Sequence, residues 1–252
     1  SNELLARGIS SRFVSRANDR RRGGFVEAQG GGTVLLTRGS VALEMGLPVL
    51  AVVAHAQTFS DGAHTSIPAP GLGALAVARG GRDSVIARNL AELGVGIDDV
   101  AFVSKHDTST NANDPNESDL HTRVGMALGR TPGNPLLVIS QKTLTGHAKG
   151  GACVFQVGGI IDVFRTGLIP ANVALDCVDD AMEQYGPLVW LRSPLNLSSR
   201  GPVRAAFATS LGFGHVSGFL ALVNPAAFEA IVEREAGRER LEAWRAASDR
   251  RL

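Results

Sequence analysis

Two short runs, residues 100–104 and 136–140, are almost wholly β-branched or aliphatic before the chain turns abruptly polar. Uninterrupted apolar runs of this length suit strands buried on both faces of a sheet. The first opens into Lys105-His106-Asp107-Thr108-Ser109-Thr110, the second into Gln141-Lys142-Thr143-Leu144-Thr145-Gly146-His147. Open α/β folds place their chemistry at the carboxyl ends of such strands, so these exits hold the candidate functional residues.

The same patterning predicts the remaining elements. Residues 1–22 are polar and define no clear start. Strands are expected at 25–28, 32–37 and 49–54, with Gly30-Gly31-Gly32 acting as a bend or bulge between the first two. Residues 57–72, rich in Ser, His, Gly and Pro, read as a loop lying over a site. Asp83 is placed to cap a helix over 84–93 that Gly94 ends, and a second helix over 117–128 is closed by Gly129. Residues 148–164 carry only Lys149 as a charge before Asp162, which predicts a helix buried nearly all round. Short strands follow at 168–174 and 189–191, then strands 204–210 and 218–223 joined around Gly212-Phe213-Gly214-His215. A charged helix over 225–252 has Phe228, Ile231, Val232, Leu241 and Trp244 as its apolar positions. The order describes an α/β architecture with a mixed sheet and a buried central helix.

Composition narrows the function classes. A formal net charge of +1 gives no global attraction to nucleic acid or an anionic membrane, and the basic run at 20–22 reads as a solvated turn. The 30 glycines lie in or beside apolar segments, as tight turns and close packing require. Cys153 and Cys177 lack CxxC or disulfide-framework spacing, which fits a reduced compartment. With no leader and no apolar run long enough to span a bilayer, the expectation is a soluble cytoplasmic protein. His55, His64, His121 and His215 show no metal-ligand spacing, so no metal is expected. No helix is expected directly after Gly30-Gly31-Gly32, which argues against a dinucleotide cofactor.

Four segments resemble the β-ketoacyl synthase family in the family's own order. His106-Asp107-Thr108-Ser109-Thr110 with Asp114 and Glu117 is similar to H-G-T-[GS]-T-x3-D-x2-E, and Lys142-Thr143-Leu144-Thr145-Gly146-His147 to K-[ST]-x-x-G-H. Ser210-Leu211-Gly212-Phe213-Gly214 resembles the late S-F-G-F-G loop, and Arg22-Gly23-Gly24-Phe25-Val26 through Gly30-Gly31-Gly32 a Gly-Phe-Val hairpin. The strings at 111–117 and 133–151 most resemble the synthase region of microbial type I fatty acid synthases. Two positions depart from the pattern: Asp107 and His215 stand where the family has glycine. No counterpart of the family's nucleophilic cysteine is present, since neither Cys153 nor Cys177 has a strand-to-helix elbow around it.

The resemblance implies a thiolase-like α-β-α-β-α five-layered fold, represented mainly by its C-terminal half. Residues 1–82 would end the N-terminal half, 83–224 would form the C-terminal half, and 225–252 a charged terminal helix, either a docking element or a solvated tail. The implied activity is decarboxylative Claisen condensation of acyl-enzyme with malonyl-carrier protein in fatty acid elongation, with the nucleophilic cysteine outside this chain and the chain alone inactive. His106, His147 and Lys142 would be catalytic. Glu117 would interact with Lys142 and Phe213 would gate the acyl pocket. Thr108, Thr110 and Thr145 offer hydroxyls near the pocket, and the family assigns residues matching Thr108 and Thr110 to the phosphopantetheine arm of the acyl carrier protein. Position also suggests that His147 opens the helix over 148–164, whose dipole would keep it neutral. Taken without the motifs, the histidines could cap turns, Lys142 could be a surface lysine and Phe213 core packing. Implied partners are the carrier domain, the remaining synthase half, other synthase domains and a second copy in a homo-oligomer. A non-catalytic structural module and a polyketide-type condensing enzyme are the alternative readings.

Overall fold

The computed structural model describes residues 2–60, 73–212 and 216–251. Phe213, His215, His64 and the part of the expected loop at 61–72 lie outside the described residues. In chain order the main elements are α1 (Gly39–Met45), β1 (Val52–Ser60), α2 (Val85–Glu92), β2 (Val100–Ser104), α3 (Asn113–Ala127), β3 (Leu136–Ile139), α4 (Ala152–Thr166), β4 (Leu188–Trp190), β5 (Ala205–Gly212), β6 (Val216–Val223), α5 (Ala226–Ala236) and α6 (Arg238–Asp249). Six strands form one mixed sheet in the order β1-β6-β5-β2-β3-β4. β2 runs parallel to β3 and β5, and β3 parallel to β4, while β6 is antiparallel to both β1 and β5. A small ribbon pairs Leu168–Ile169 with Leu195–Asn196.

The central strands are apolar on both faces because both faces are covered. Val100, Val103, Val138 and Phe207 join Leu90, Leu120 and Val124 of α2 and α3 in one core. Phe102, Leu137, Ile139 and Ala208 meet Ile160, Val163 and Phe164 of α4 in another. The sheet is therefore a packed layer between helices, and β2 and β3, paired in register from Phe102↔Leu137 to Ser104↔Ile139, deliver their polar exits side by side.

Several elements differ from the sequence expectation. Residues 25–28 and 32–37 form no strand: among the described residues a lone bridge, Glu27↔His147, is all that pairs there. Val34, Leu35 and Leu36 stay exposed, because an extended segment becomes a strand only where a partner lies alongside. The third expected strand begins at Val52 and runs on through residues 57–60, which replace the start of the loop. Ser84, not Asp83, caps α2, its hydroxyl accepting from the Ala87 amide at 3.3 Å. The helix expected from residue 117 starts at Asn113.

The central helix begins at Ala152, five residues beyond His147, and buries one face through Ala152, Gln156, Ile160, Val163 and Phe164 rather than its whole circumference. Of the strand expected at 168–174, two residues remain. The terminal helix is two helices, broken at Gly237, whose φ of +85° no other residue adopts easily. Their buried Phe228, Val232, Leu241 and Trp244 pack on Ala42 of α1. The basic run is also less solvated than its composition suggests: Arg22 is buried, while Arg20 and Arg21 remain exposed.

Candidate active site

His106 follows β2 and His147 ends the loop after β3, and their rings meet edge to face with centroids 5.2 Å apart. The extended segment after Arg22 holds both loops. Gly24 N–H donates to Ser109 O at 2.7 Å, His147 N–H donates to Val26 O at 2.8 Å, and Ala28 N–H donates to His147 O at 3.2 Å. The Phe25 ring lies 4.9 Å from that of His147. The approach requires glycine at position 146, where φ is +68° and an added Cβ would stand 2.8 Å from Ala28 Cβ. Segments that form no ladder thus build the site wall.

Each imidazole has its Nδ1 engaged from inside the protein. Lys142 Nζ lies 3.2 Å from His106 Nδ1, and Lys149 N–H donates to His147 Nδ1 at 3.1 Å. A donor at Nδ1 leaves the ring proton on Nε2. Burial, then the charge of Lys142, then His147 hold His106 well below the usual histidine range. Burial, Lys142 and Lys149 push His147 down to about 4. Both rings are neutral at pH 7. For His147 the cause is burial and two lysines, not the terminus of α4.

Glu117 is fully buried in α3 and accepts the backbone N–H of His106 at 2.5 Å and of Asp107 at 2.8 Å, with Asn113 Nδ2 at 3.1 Å and the Thr209 hydroxyl also donating. Lys142 Nζ donates to His106 O at 2.5 Å. Lys142 and Glu117 therefore form no direct ion pair; they grip His106 from its carbonyl and its amide respectively. The expected interaction is one of charge and not of contact: the lysine's nearest acceptors belong to the histidine, while the Glu117 carboxylate raises the Lys142 ammonium against its burial. Burial raises the Glu117 carboxyl, with Asp107 adding to it, and burial lowers the Lys142 ammonium.

A cavity of about 400 Å³ opens onto this pair, lined by Phe25, His106, Thr108, Thr110, His147 and Lys149 among others. Thr108 and Thr110 hydroxyls lie 3.0 Å apart at its wall. Thr145 does not line it; its hydroxyl donates to Gln141 O at 3.2 Å. Neither Cys153, in the first turn of α4, nor exposed Cys177 lines it.

Sequence reasoning missed the buried polar bed beneath the loop. Lys105 and Asp107 form an ion pair of 2.8 Å with both side chains fully buried, and Asn18 bonds to each. Gln156 Nε2 donates to the carbonyls of Ser104, Lys105 and Thr209 at 2.8–3.1 Å, tying α4 to the ends of β2 and β5. Arg16 and Asp19 are buried as well. The only signal available was positional, Asp107 standing at a glycine position.

A match to the β-ketoacyl synthase C-terminal domain spans residues 50–176. The chain is 41% identical over 225 residues to fatty acid synthase alpha subunit stcJ of Emericella nidulans, covering 88% of this chain and 14% of that protein. It is 37% identical over 261 residues to alpha subunit hexA of Dothistroma septosporum, covering 92% and 15%. The chain thus spans about one seventh of the length of these curated relatives. Its fold matches the crystal structure of ketosynthase FabY from P. aeruginosa with a TM-score of 0.81 at 24% identity, over 98% of this chain and 37% of that one. With its mixed sheet, its thiolase-like ketosynthase fold and that domain match, the chain belongs to the β-ketoacyl synthase family.

Proposed function

We propose that this chain supplies the two-histidine part of a condensing site in a type I fatty acid synthase, acting on malonyl thioester held by the phosphopantetheine arm of an acyl carrier protein. One observation carries the reading: two neutral imidazoles, 5.2 Å apart, both with Nδ1 occupied and therefore with Nε2–H free to donate. Loss of carbon dioxide breaks the bond between C2 and the carboxylate of the malonyl group, and its electron pair passes into an enolate whose negative charge grows on the thioester oxygen. Two fixed donors aimed at that oxygen stabilise it without reorganising, which is where preorganised sites gain most. A neutral imidazole suits this work, because it can donate a hydrogen bond to an oxygen that becomes anionic without itself having to be charged.

Lys142 and Glu117 act by orienting His106. We assign Thr108 and Thr110 to the amides of the arm, which their position at the cavity wall supports; Thr145, turned to Gln141, has a structural part instead. To Phe213 we assign the gating of the acyl pocket, on the family resemblance of its Gly-Phe-Gly loop. The enolate C2 then attacks an acyl thioester on a cysteine, forming the new carbon–carbon bond and releasing the thiolate. Neither Cys153 nor Cys177 lines the cavity, so we assign that cysteine to residues outside this chain, together with the rest of the synthase half, the other synthase domains and a homo-oligomeric, cytoplasmic assembly. The similarity to fatty acid synthase alpha subunits favours fatty acid over polyketide elongation.

The test uses a full-length synthase that contains this chain, fed malonyl-carrier protein. Carbon dioxide release should fall at least about a hundredfold in H106A and H147A. An undiminished rate in both variants overturns the reading.

A further inference from the structure

Asp107 is held in a conformation that L-residues rarely adopt, with φ of +37°, and its side chain is fully buried directly after His106. Backbone in that region costs on the order of 1–3 kcal/mol unless its surroundings fix it. Here they do. Lys105 Nζ stands 2.8 Å from Asp107 Oδ1. Asp107 Oδ2 accepts from Asn18 Nδ2 at 2.8 Å and from Ser140 Oγ at 2.5 Å, the latter at the end of the neighbouring strand. Asn18 turns the other end of its amide to Lys105, accepting from Nζ at 3.0 Å. Lys105 completes its donors on Asp114 O at 3.2 Å and Ser118 Oγ at 3.0 Å of α3. Asn18 is itself left-handed, at φ +62°, and its N–H donates to Asp114 Oδ2 at 2.8 Å.

We propose that Lys105, Asp107 and Asn18 form a positioning clamp that fixes the His106 peptide between β2, β3 and the segment around residue 18, and so sets the direction of the His106 imidazole. The three are positioning residues, since none lines the cavity. The clamp rests on the reading of His106 as an enolate-stabilising donor and extends it. Its logic is mutual neutralisation: a buried charge is tolerable only while paired and hydrogen-bonded. Removing Lys105 leaves the Asp107 carboxylate without its countercharge; removing Asp107 takes from the Lys105 ammonium its one direct ion pair among the described residues and from the loop peptide one of its anchors. Removing both takes away one charge of each sign, leaving Asp114 beside Arg22 and Glu117 on its two backbone amides, and a glycine at position 107 adopts positive φ without strain. The segment around residue 18 thereby becomes part of the site although it touches no substrate.

In the full-length synthase, K105M, D107N and N18D should each lower kcat for malonyl-carrier decarboxylation about tenfold to a hundredfold, the penalty of a displaced catalytic group. KM should change by less than about threefold, since the cavity wall is intact. D107N keeps a residue type that tolerates the left-handed region, so it separates loss of charge from loss of backbone fit. The double variant K105M/D107G should recover to within about fivefold of the parent, a rescue that independent structural damage would not give. H106Q, measured beside them, separates the two levels. If H106Q leaves the rate unchanged, the reading of the pocket falls and the clamp with it. If H106Q abolishes the rate while K105M, D107N and N18D stay within about twofold of parent, the clamp alone is wrong. A double variant as slow as the product of K105M and D107N also overturns it.

Discussion

The bed under His106 and the helical pair at the C-terminal end solve the same problem, fixing a surface segment to the sheet, by opposite means. The bed uses charge: Lys105, Asp107, Asp114 and Glu117 are all buried, and each carboxylate takes backbone or side-chain donors from other segments. The helical pair uses apolar area. The Phe228 and Trp244 rings lie 5.0 Å apart over Ala42, with a polar tie from Trp244 Nε1 to Leu47 O at 3.1 Å. Apolar burial is non-directional and tolerates shape changes. A buried ion network is directional, and one missing member leaves a charge without a partner. The helical pair anchors; the charged bed can aim an imidazole.

The two kinds of region should break differently. The largest effect belongs to the histidines: H147A in the full synthase should reduce carbon dioxide release from malonyl-carrier by about 10²–10⁴-fold, as removal of a preorganised donor does, while its thermal midpoint stays near that of the parent. A large drop in midpoint would mean that the ring is a structural member.

Next is E117L, which leaves the amides of His106 and Asp107 without their acceptor. It should cost about 3–5 kcal/mol of stability and also slow the reaction. Denaturant unfolding of the synthase region, set beside the rate, separates this outcome from a purely apolar gain in stability.

In the helical pair W244A should cost about 3 kcal/mol, within the range for a large buried aromatic, yet leave decarboxylation at the parent rate in the folded protein. A loss of rate there would show that the two regions are coupled. A smaller cost, about 1–2 kcal/mol, is expected for G237A, because φ of +85° with extended ψ suits glycine alone; a shift in thermal midpoint reads it.

The smallest effect is a near absence of change. The folded value of His147 is about 4, depressed by burial and the two lysines. The neutral, donating form therefore persists as pH falls from 8 to 6, and the rate should vary less than about twofold there. An ordinary histidine would lose half its neutral form near pH 6.5. The accompanying stability has the same sign. Below about pH 6.5 the unfolded chain takes up protons that folded His147 and His121, the latter pushed down to about 3 by burial, refuse. Stability is complete above that value and declines as pH falls toward the folded values. A midpoint of activity near 6.5 would contradict the burial of the pair.

What the sequence determined by itself is local. Apolar runs fixed where β2 and β3 lie, because a strand covered on both faces must be apolar at every position. Their polar exits marked His106, Lys142 and His147. Phe228, Ile231, Val232, Leu241 and Trp244 stood out as the apolar positions of the last stretch, but only the fold turned four of them inward onto Ala42, where the sequence suggested a docking element or a solvated tail. Tertiary structure decided what the segments met. The strand patterns at 25–28 and 32–37 found no ladder, and Thr145 turned from the pocket to Gln141. A polar N-terminal stretch, legible only as surface, became the bed of the site. Lys105 and Asn18 lie 87 residues apart, and no local pattern marks either as buried. A charge goes inside only when partners from distant segments arrive together, so its burial is a property of the assembled fold and not of the sequence around it.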